Sequence, residues 1–233
     1  MPALPDLTGV VVAFDLDGTL VDTAPDLIGT LNQVLAEEGH PSLPLADARS
    51  LIGHGARALI DRGFAAAGAT VTPERLDQLW NHFIELYEQR IALESRPFPG
   101  AVAALDQLAA AGARLVVCTN KRTYLSRALL DALGLSSRFA AIVGPDLPGF
   151  AKPDPRHLAY AIEAAGGGRA VMVGDASTDT RAAQAAGVPV IVASFGYLDM
   201  PVAELGADAV IDHYDELPAA VGRLVATPAI AGA

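Results

Sequence analysis

Lysine is nearly absent from this chain: of its 16 basic residues only Lys121 and Lys152 are lysines, and the rest are arginines. Ordinary surface charge is thus carried by arginine, so the two lysines mark places where a compact ammonium is wanted rather than a planar fork. Cysteine is scarcer still. Cys118 stands alone, which excludes an internal disulfide, and it follows the apolar run Leu115, Val116 and Val117, the setting of a buried, inert thiol. Positive charge is in deficit overall, with a formal net charge of −11. That balance argues against a nucleic-acid surface, which needs clustered Lys and Arg, and an anionic substrate would have to be met by a metal or a few placed cations. No apolar run reaches the ~18 residues of a membrane span, and the opening MPALPDLTG has neither the basic nor the apolar region of a signal peptide. The expectation is a cytoplasmic protein, monomer or homodimer, with no nucleic-acid or membrane partner.

What is present is organised around residues 10–23, VVVAFDLDGTLVDT. The β-branched run and the Ala-Phe pair read as a strand buried on both faces. It ends in Asp15-Leu16-Asp17-Gly18-Thr19, where the two acids, two residues apart, project to the same side. Their mutual repulsion suits a hard divalent cation such as Mg²⁺. A helix-flanked calcium loop is excluded, because counting back from Gly18 puts Ala13 where its first acid belongs. Taken alone, the segment is equally a strand end capped by turn-forming residues.

The 233 residues, 52% apolar and 18% charged, suffice for one ordinary domain and a smaller one. Helical periodicity runs over residues 25–38, over two short stretches within 45–67 separated by Gly53-His54-Gly55, and over 73–91, with Trp80 expected in the core of this insert. No strand pattern interrupts residues 23–95, and Pro97, Pro99 and Gly100 mark the return to another architecture. Helices then alternate with short apolar strands: helix 101–111, strand 114–119, helix 124–133, strand 140–143, helix 156–165, strand 170–174, helix 178–186 and strand 190–193. A strand within 208–211, a helix over 216–225 and a frayed end over 227–233 complete the reading. The pattern predicts an α/β fold: a doubly wound parallel sheet over residues 1–22 and 96–233, with a small all-helical domain, 23–95, inserted after the first strand. Ligands of such sheets bind at the carboxyl ends of the strands.

Those ends carry the candidate chemistry. Thr119-Asn120-Lys121 offers a hydroxyl and main-chain N–H groups for phosphate oxygens, and all three residues are candidate substrate ligands. Lys152 opens the rigid turn Lys-Pro-Asp-Pro, where it would neutralise phosphate or nearby carboxylates. Asp175 ends the apolar run Val171, Met172 and Val173, with Asp179 one turn into the next helix.

In this order the four segments resemble the motifs of the haloacid dehalogenase superfamily. The resemblance implies that Asp15 is a nucleophile forming an aspartyl-phosphate, while Asp17 protonates the leaving alkoxide and then activates water. It also implies Mg²⁺ held by Asp15, the Asp17 carbonyl and Asp175, with Asp179 supporting the metal shell or Lys152, and a phosphoryl group bound by Thr119 and Lys152. Carbon–halogen cleavage is disfavoured because members with that activity lack the acid at the position of Asp17. Phosphonate cleavage needs a lysine in the helical insert, and residues 23–95 contain none. The insert resembles the cap of this superfamily, and its tip, Gly53, His54, Gly55 and Arg57, is the expected reader of the leaving group. With the Asp-Thr-Ala-Pro-Asp-Leu opening of the cap and the Thr119-Asn120-Lys121 triplet, the chain resembles phosphoglycolate phosphatases, implying a small phosphorylated metabolite, 2-phosphoglycolate, as substrate. Phosphatases of N-acetylmuramic acid 6-phosphate, sugar-phosphate mutases and a noncatalytic binding module on the same fold remain as alternatives.

Overall fold

A computed structural model describes residues 4–226, so the end expected to fray lies outside the described residues. Strand β1 (Val10–Phe14) is fully buried and lies in the middle of a six-stranded sheet. β2 (Val21–Asp22) follows at once. The helices α1 (Ala24–Glu37), α2 (Leu45–Ala48), α3 (Ala56–Ala66) and α4 (Pro73–Gln89) come next, and β3 (Arg96–Pro97) closes that stretch. The remainder alternates: α5 (Ala101–Ala110), β4 (Arg114–Cys118), α6 (Thr123–Ala132), β5 (Ala141–Val143), α7 (Pro155–Ala164), β6 (Arg169–Gly174), α8 (Ser177–Ala185), β7 (Val190–Ala193), β8 (Ala209–Ile211) and α9 (Leu217–Ala226).

The large sheet has the order β5-β4-β1-β6-β7-β8 with every pairing parallel. Val12 sits beside Leu115 on one flank and Val171 on the other. The two-residue period of a strand divides its side chains between two cores. Val10, Val12 and Phe14 join a core with α5, α6 and α9, whereas Val11 and Ala13 join Val116, Cys118 and Met172 beneath α7 and α8. Helices cover both faces, and the chain turns from one flank of β1 to the other after β5, so the crevice beyond β1, β4 and β6 is where this topology seats a ligand. No helix among the described residues is long and apolar enough to cross a membrane.

The helices α1, α3 and α4 share a third core built on Leu31, Leu35, Ile60, Phe64, Phe83 and Tyr87. In α4 the buried residues Leu76, Leu79, Phe83, Ile84 and Tyr87 recur at helical spacing, and Thr72 caps the helix by accepting the Arg75 N–H at 3.3 Å. Each large side chain so buried contributes about 1.5–3 kcal/mol, which is what holds these otherwise marginal helices in place.

Two features depart from the sequence reading. β2 and β3 form an antiparallel ribbon of two residues each at the junction of the helical insert with the sheet, too short to leave a periodic signal. Trp80 is half-buried at the edge of the insert's core rather than inside it: it packs against the cluster and also lines a cavity, with the Arg122 guanidinium 4.6 Å over its ring.

Candidate active site

Three strand ends build the site. Asp15 follows β1, Thr119 follows β4 and Asp175 follows β6, and all three are buried. Close main-chain packing brings them together. Gly18 has φ of +85°, and a Cβ there would lie 2.4 Å from Asp175 Oδ2; a Cβ on Gly196 would lie 2.6 Å from the Gly18 carbonyl oxygen. Only glycine fits either position.

Asp15, Asp175 and Asp179 each present a carboxylate oxygen, all within 4.8 Å of one another. Lys152 Nζ reaches Asp15 Oδ1 at 2.9 Å and Asp179 Oδ1 at 2.6 Å. Asp179 Oδ2 accepts the Asp175 and Ala176 N–H groups at 3.2 and 3.1 Å. Asp175 accepts Thr19 Oγ1–H at 2.5 Å and the Tyr197 N–H at 2.7 Å, whereas Asp15 accepts from its neighbour Leu16 N–H at 2.7 Å. Burial dominates the electrostatics. It pushes Asp15 up to about 6 against the opposing pull of Lys152, with Asp179 and Asp17 adding to the rise, and it raises Asp175 well above the usual carboxylate range, reinforced by Asp179 and Asp15. Burial alone would lower the Lys152 ammonium, but Asp15 and Asp179 outweigh it and hold it above its ordinary value. Three buried carboxylates thus share one cation, leaving a net negative cluster of oxygen donors that fits a hard divalent ion such as Mg²⁺.

Asp17 lies outside this cluster. Both its carboxylate oxygens accept from Lys121 Nζ, at 2.9 and 3.1 Å, so of the four expected metal residues it is the one whose side chain is engaged elsewhere. Asn120 ties the remaining parts together: its Oδ1 accepts the Lys152 N–H at 2.8 Å, and its Nδ2 donates to the Lys152 carbonyl at 3.0 Å and to Gly53 at 3.2 Å. Thr119 Oγ1 accepts the Lys121 N–H at 3.2 Å. The Lys152–Pro153 peptide is cis.

A cavity of ≈ 480 Å³ opens over these groups, lined by Asp15, Asp17, Thr119, Asn120, Lys121 and Lys152 below and by Gly53, His54, Gly55, Arg57, Trp80, Phe83 and Tyr87 above. The expected cap-tip residues are therefore at the site, but two of their side chains already have partners. His54 stands with Nδ1 3.0 Å from Arg62 Nη1 and Nε2 3.8 Å from Asp199, and burial and Arg62 keep its proton affinity low. Arg57 is paired with Asp77. Cys118 is buried beside the site with its thiol pushed up to about 12 by burial, so it stays protonated. The sequence reading missed Thr19 and Tyr197 on Asp175, Asp77 on Arg57, and Tyr87, whose helical register marked it only as core. Thr19 alone had a local signal, its place in the Asp-Gly-Thr turn; the others meet their partners across long chain separations.

Comparison with known proteins agrees with this geometry. Residues 10–187 match the haloacid dehalogenase-like hydrolase family. A phosphoglycolate phosphatase of Caulobacter vibrioides is 55% identical over 232 residues, covering 98% of each chain. Among solved structures, a predicted phosphoglycolate phosphatase of Haemophilus somnus superposes with a TM-score of 0.83 at 28% identity, over 91% of this chain and 97% of that one. CbbY of Rhodobacter sphaeroides, solved in complex with phosphate, gives 0.74 at 25% identity, over 89% and 95%. With a family match spanning most of its length, a full-length relative at this identity and the same fold, the chain belongs to the haloacid dehalogenase-like hydrolases.

Proposed function

We propose that this chain is a Mg²⁺-dependent phosphatase that hydrolyses 2-phosphoglycolate to glycolate and phosphate through an aspartyl-phosphate on Asp15. One observation carries the reading: a buried carboxylate, Asp15, faces the cavity with Lys152 at 2.9 Å and a second acid, Asp17, two residues on. The name of the full-length relative supports the choice of substrate.

In this mechanism Asp15 attacks phosphorus, the bond from phosphorus to the leaving oxygen breaks, and Asp17 gives that oxygen its proton. Asp17, now a carboxylate, takes a proton from water, whose oxygen attacks phosphorus and releases Asp15 and phosphate. Lys152 and the Thr119 hydroxyl and neighbouring N–H groups hold the equatorial oxygens in both steps. Asp15, Asp175 and the main-chain carbonyl of Asp17 would hold Mg²⁺, with Asp179 behind Lys152; when bound, the ion supplies positive charge to the transferring group. The helical insert covers the cavity and excludes water.

The cavity's size favours one second reading. At ≈ 480 Å³, with Leu27, Ile52, Leu59, Phe83 and Ile84 on its walls, it falls in the range of sites for ligands much larger than glycolate, which suits an amino-sugar ester such as N-acetylmuramic acid 6-phosphate. Phosphate release with Mg²⁺ from both esters and a sugar-phosphate panel decides between them, with Asp15→Asn as the blank. The proposal expects 2-phosphoglycolate to be preferred and Asp15→Asn to be folded and inactive; turnover retained in that variant would overturn the nucleophile.

A further inference from the structure

Lys121 and Tyr87 set an ammonium and a phenol side by side at the cavity, and the phenol has no acceptor for its O–H. An ammonium has three N–H bonds, and Lys121 directs its Nζ at the two Asp17 oxygens, at 2.9 and 3.1 Å. At least one donor remains. Its nitrogen stands 4.6 Å from the centre of the Tyr87 ring. The Tyr87 hydroxyl, on a residue with no exposed surface, has the Lys121 ammonium as its polar neighbour and no acceptor for its own O–H, at a cavity wall lined with acids and cations. A buried hydroxyl without an acceptor costs about 1–3 kcal/mol, which a ligand that enters the cavity and accepts from it would recover. The phenol is a donor throughout the neutral range, since burial pushes it up to about 12.

We infer that Lys121 and Tyr87 form the subsite that receives the carboxylate of the leaving group. A carboxylate has two oxygens and accepts only; one cationic N–H and one phenolic O–H match them. Of the other cations at the cavity, two are held by carboxylates and a third is stacked on an aromatic ring. Lys152 is on Asp15 and Asp179, Arg57 is on Asp77, and Arg122 is stacked on Trp80. The placement suits a short leaving group. Because Lys121 also holds Asp17, a carboxylate bound there keeps the ester oxygen within reach of the acid that must protonate it. The inference therefore rests on the 2-phosphoglycolate reading for the distance between carboxylate and phosphorus, and it assigns the recognition to the base of α4 and the residue after Asn120 rather than to the Gly53–Gly55 tip.

The test uses two non-hydrolysable phosphonates with Mg²⁺: 3-phosphonopropionate, the carbon isostere of 2-phosphoglycolate, and ethylphosphonate, which lacks the carboxylate. Calorimetry measures their dissociation constants on the wild type and on Tyr87→Phe. Wild type is expected to prefer 3-phosphonopropionate. Tyr87→Phe should weaken that ligand by about tenfold, the worth of one hydrogen bond to a charged group, and change ethylphosphonate by less than about twofold. Its unfolding midpoint should stay equal or rise, because the variant removes an unsatisfied buried hydroxyl; a purely structural tyrosine would show a fall. Equal weakening of both ligands, no weakening of either, or no wild-type preference overturns the subsite. The ester panel judges the substrate reading separately: a preference for the amino-sugar ester with selective loss of 3-phosphonopropionate binding in Tyr87→Phe would sink 2-phosphoglycolate and leave the subsite standing.

Discussion

His157 lies in the helix that follows Lys152 and shows how a single residue accommodates that buried charge. It has no exposed surface, and its Nε2 is 3.3 Å from the Val143 carbonyl oxygen. A carbonyl only accepts, so Nε2 carries the proton and Nδ1 is bare, with no partner. Burial, then the charge of Lys152, lowers the ring's pKa to about 4 from an ordinary 6.5. The sign follows from linkage. Above 6.5 the ring is neutral in both states and contributes nothing to pH dependence; between 6.5 and 4 the unfolded chain binds a proton that the folded one refuses, so stability falls as pH falls. The full cost is about 3 kcal/mol once pH is below the folded value. His157→Leu is expected to lose less stability between pH 7 and pH 4 than the wild type, by up to that amount, in urea titrations at each pH. Parallel curves for the two proteins would mean that the ring is free to charge in the fold.

At the scale of elements, the junction between the helical insert and the sheet is held by Asp26, in the first turn of α1. Its carboxylate, with no exposed surface, accepts the Glu94 N–H at 3.1 and 3.0 Å, the Ser95 N–H at 2.8 Å and Ser95 Oγ–H at 2.6 Å. The start of the insert is thereby fastened to its end, beside the β2–β3 ribbon. Asp26→Asn turns one acceptor into a donor facing N–H groups, and the expected loss is about 2–3 kcal/mol in equilibrium unfolding. Unchanged stability would show that the junction relies on apolar packing alone. This also marks the limit of what the sequence discloses. Strands β1, β4 and β6 and their terminal residues were legible because buried runs ending in Asp or Thr are local patterns, and the cap helices because their apolar residues recur at helical spacing. Asp26 and Ser95 are 69 residues apart, and Lys121 and Asp17 are 104 apart. Such pairs have no local pattern, so the sequence points to Lys121 as a substrate ligand and to Arg57 as a reader of the leaving group without disclosing Asp17 or Asp77 beside them.

For the molecule as a whole, a buried cluster of three acids stands at the head of the sheet in a chain of net charge −11. Asp15 is raised to about 6 and Asp175 well above its ordinary value, with burial the leading cause for both. A carboxyl whose folded pKa exceeds its unfolded value contributes stability below the unfolded value and loses it as pH rises through the folded one. For Asp15 that window runs from the ordinary carboxylate range to about 6, and Asp175 is raised in the same direction, so without a divalent ion these two groups weaken the fold as pH rises. An ion that binds only the folded state reverses this by RT ln(1 + [L]/Kd), about 2.7 kcal/mol at a hundredfold excess over Kd. Mg²⁺ is accordingly expected to raise the thermal midpoint at pH 7.5 and to do so much less at pH 5, where protons compete for the same oxygens. Asp175→Asn separates this from general salt screening. The asparagine Oδ1 can accept the Tyr197 N–H and its Nδ2 can donate to Thr19 Oγ1, which now accepts, so both contacts are kept while one buried charge is removed. The variant should melt above the wild type in EDTA at pH 7.5 and gain little from Mg²⁺. A Mg²⁺ shift as large in Asp175→Asn as in the wild type would place the stabilising ion elsewhere on this acidic molecule, and the crevice beyond β1, β4 and β6 would have to balance its acids with Lys152 alone.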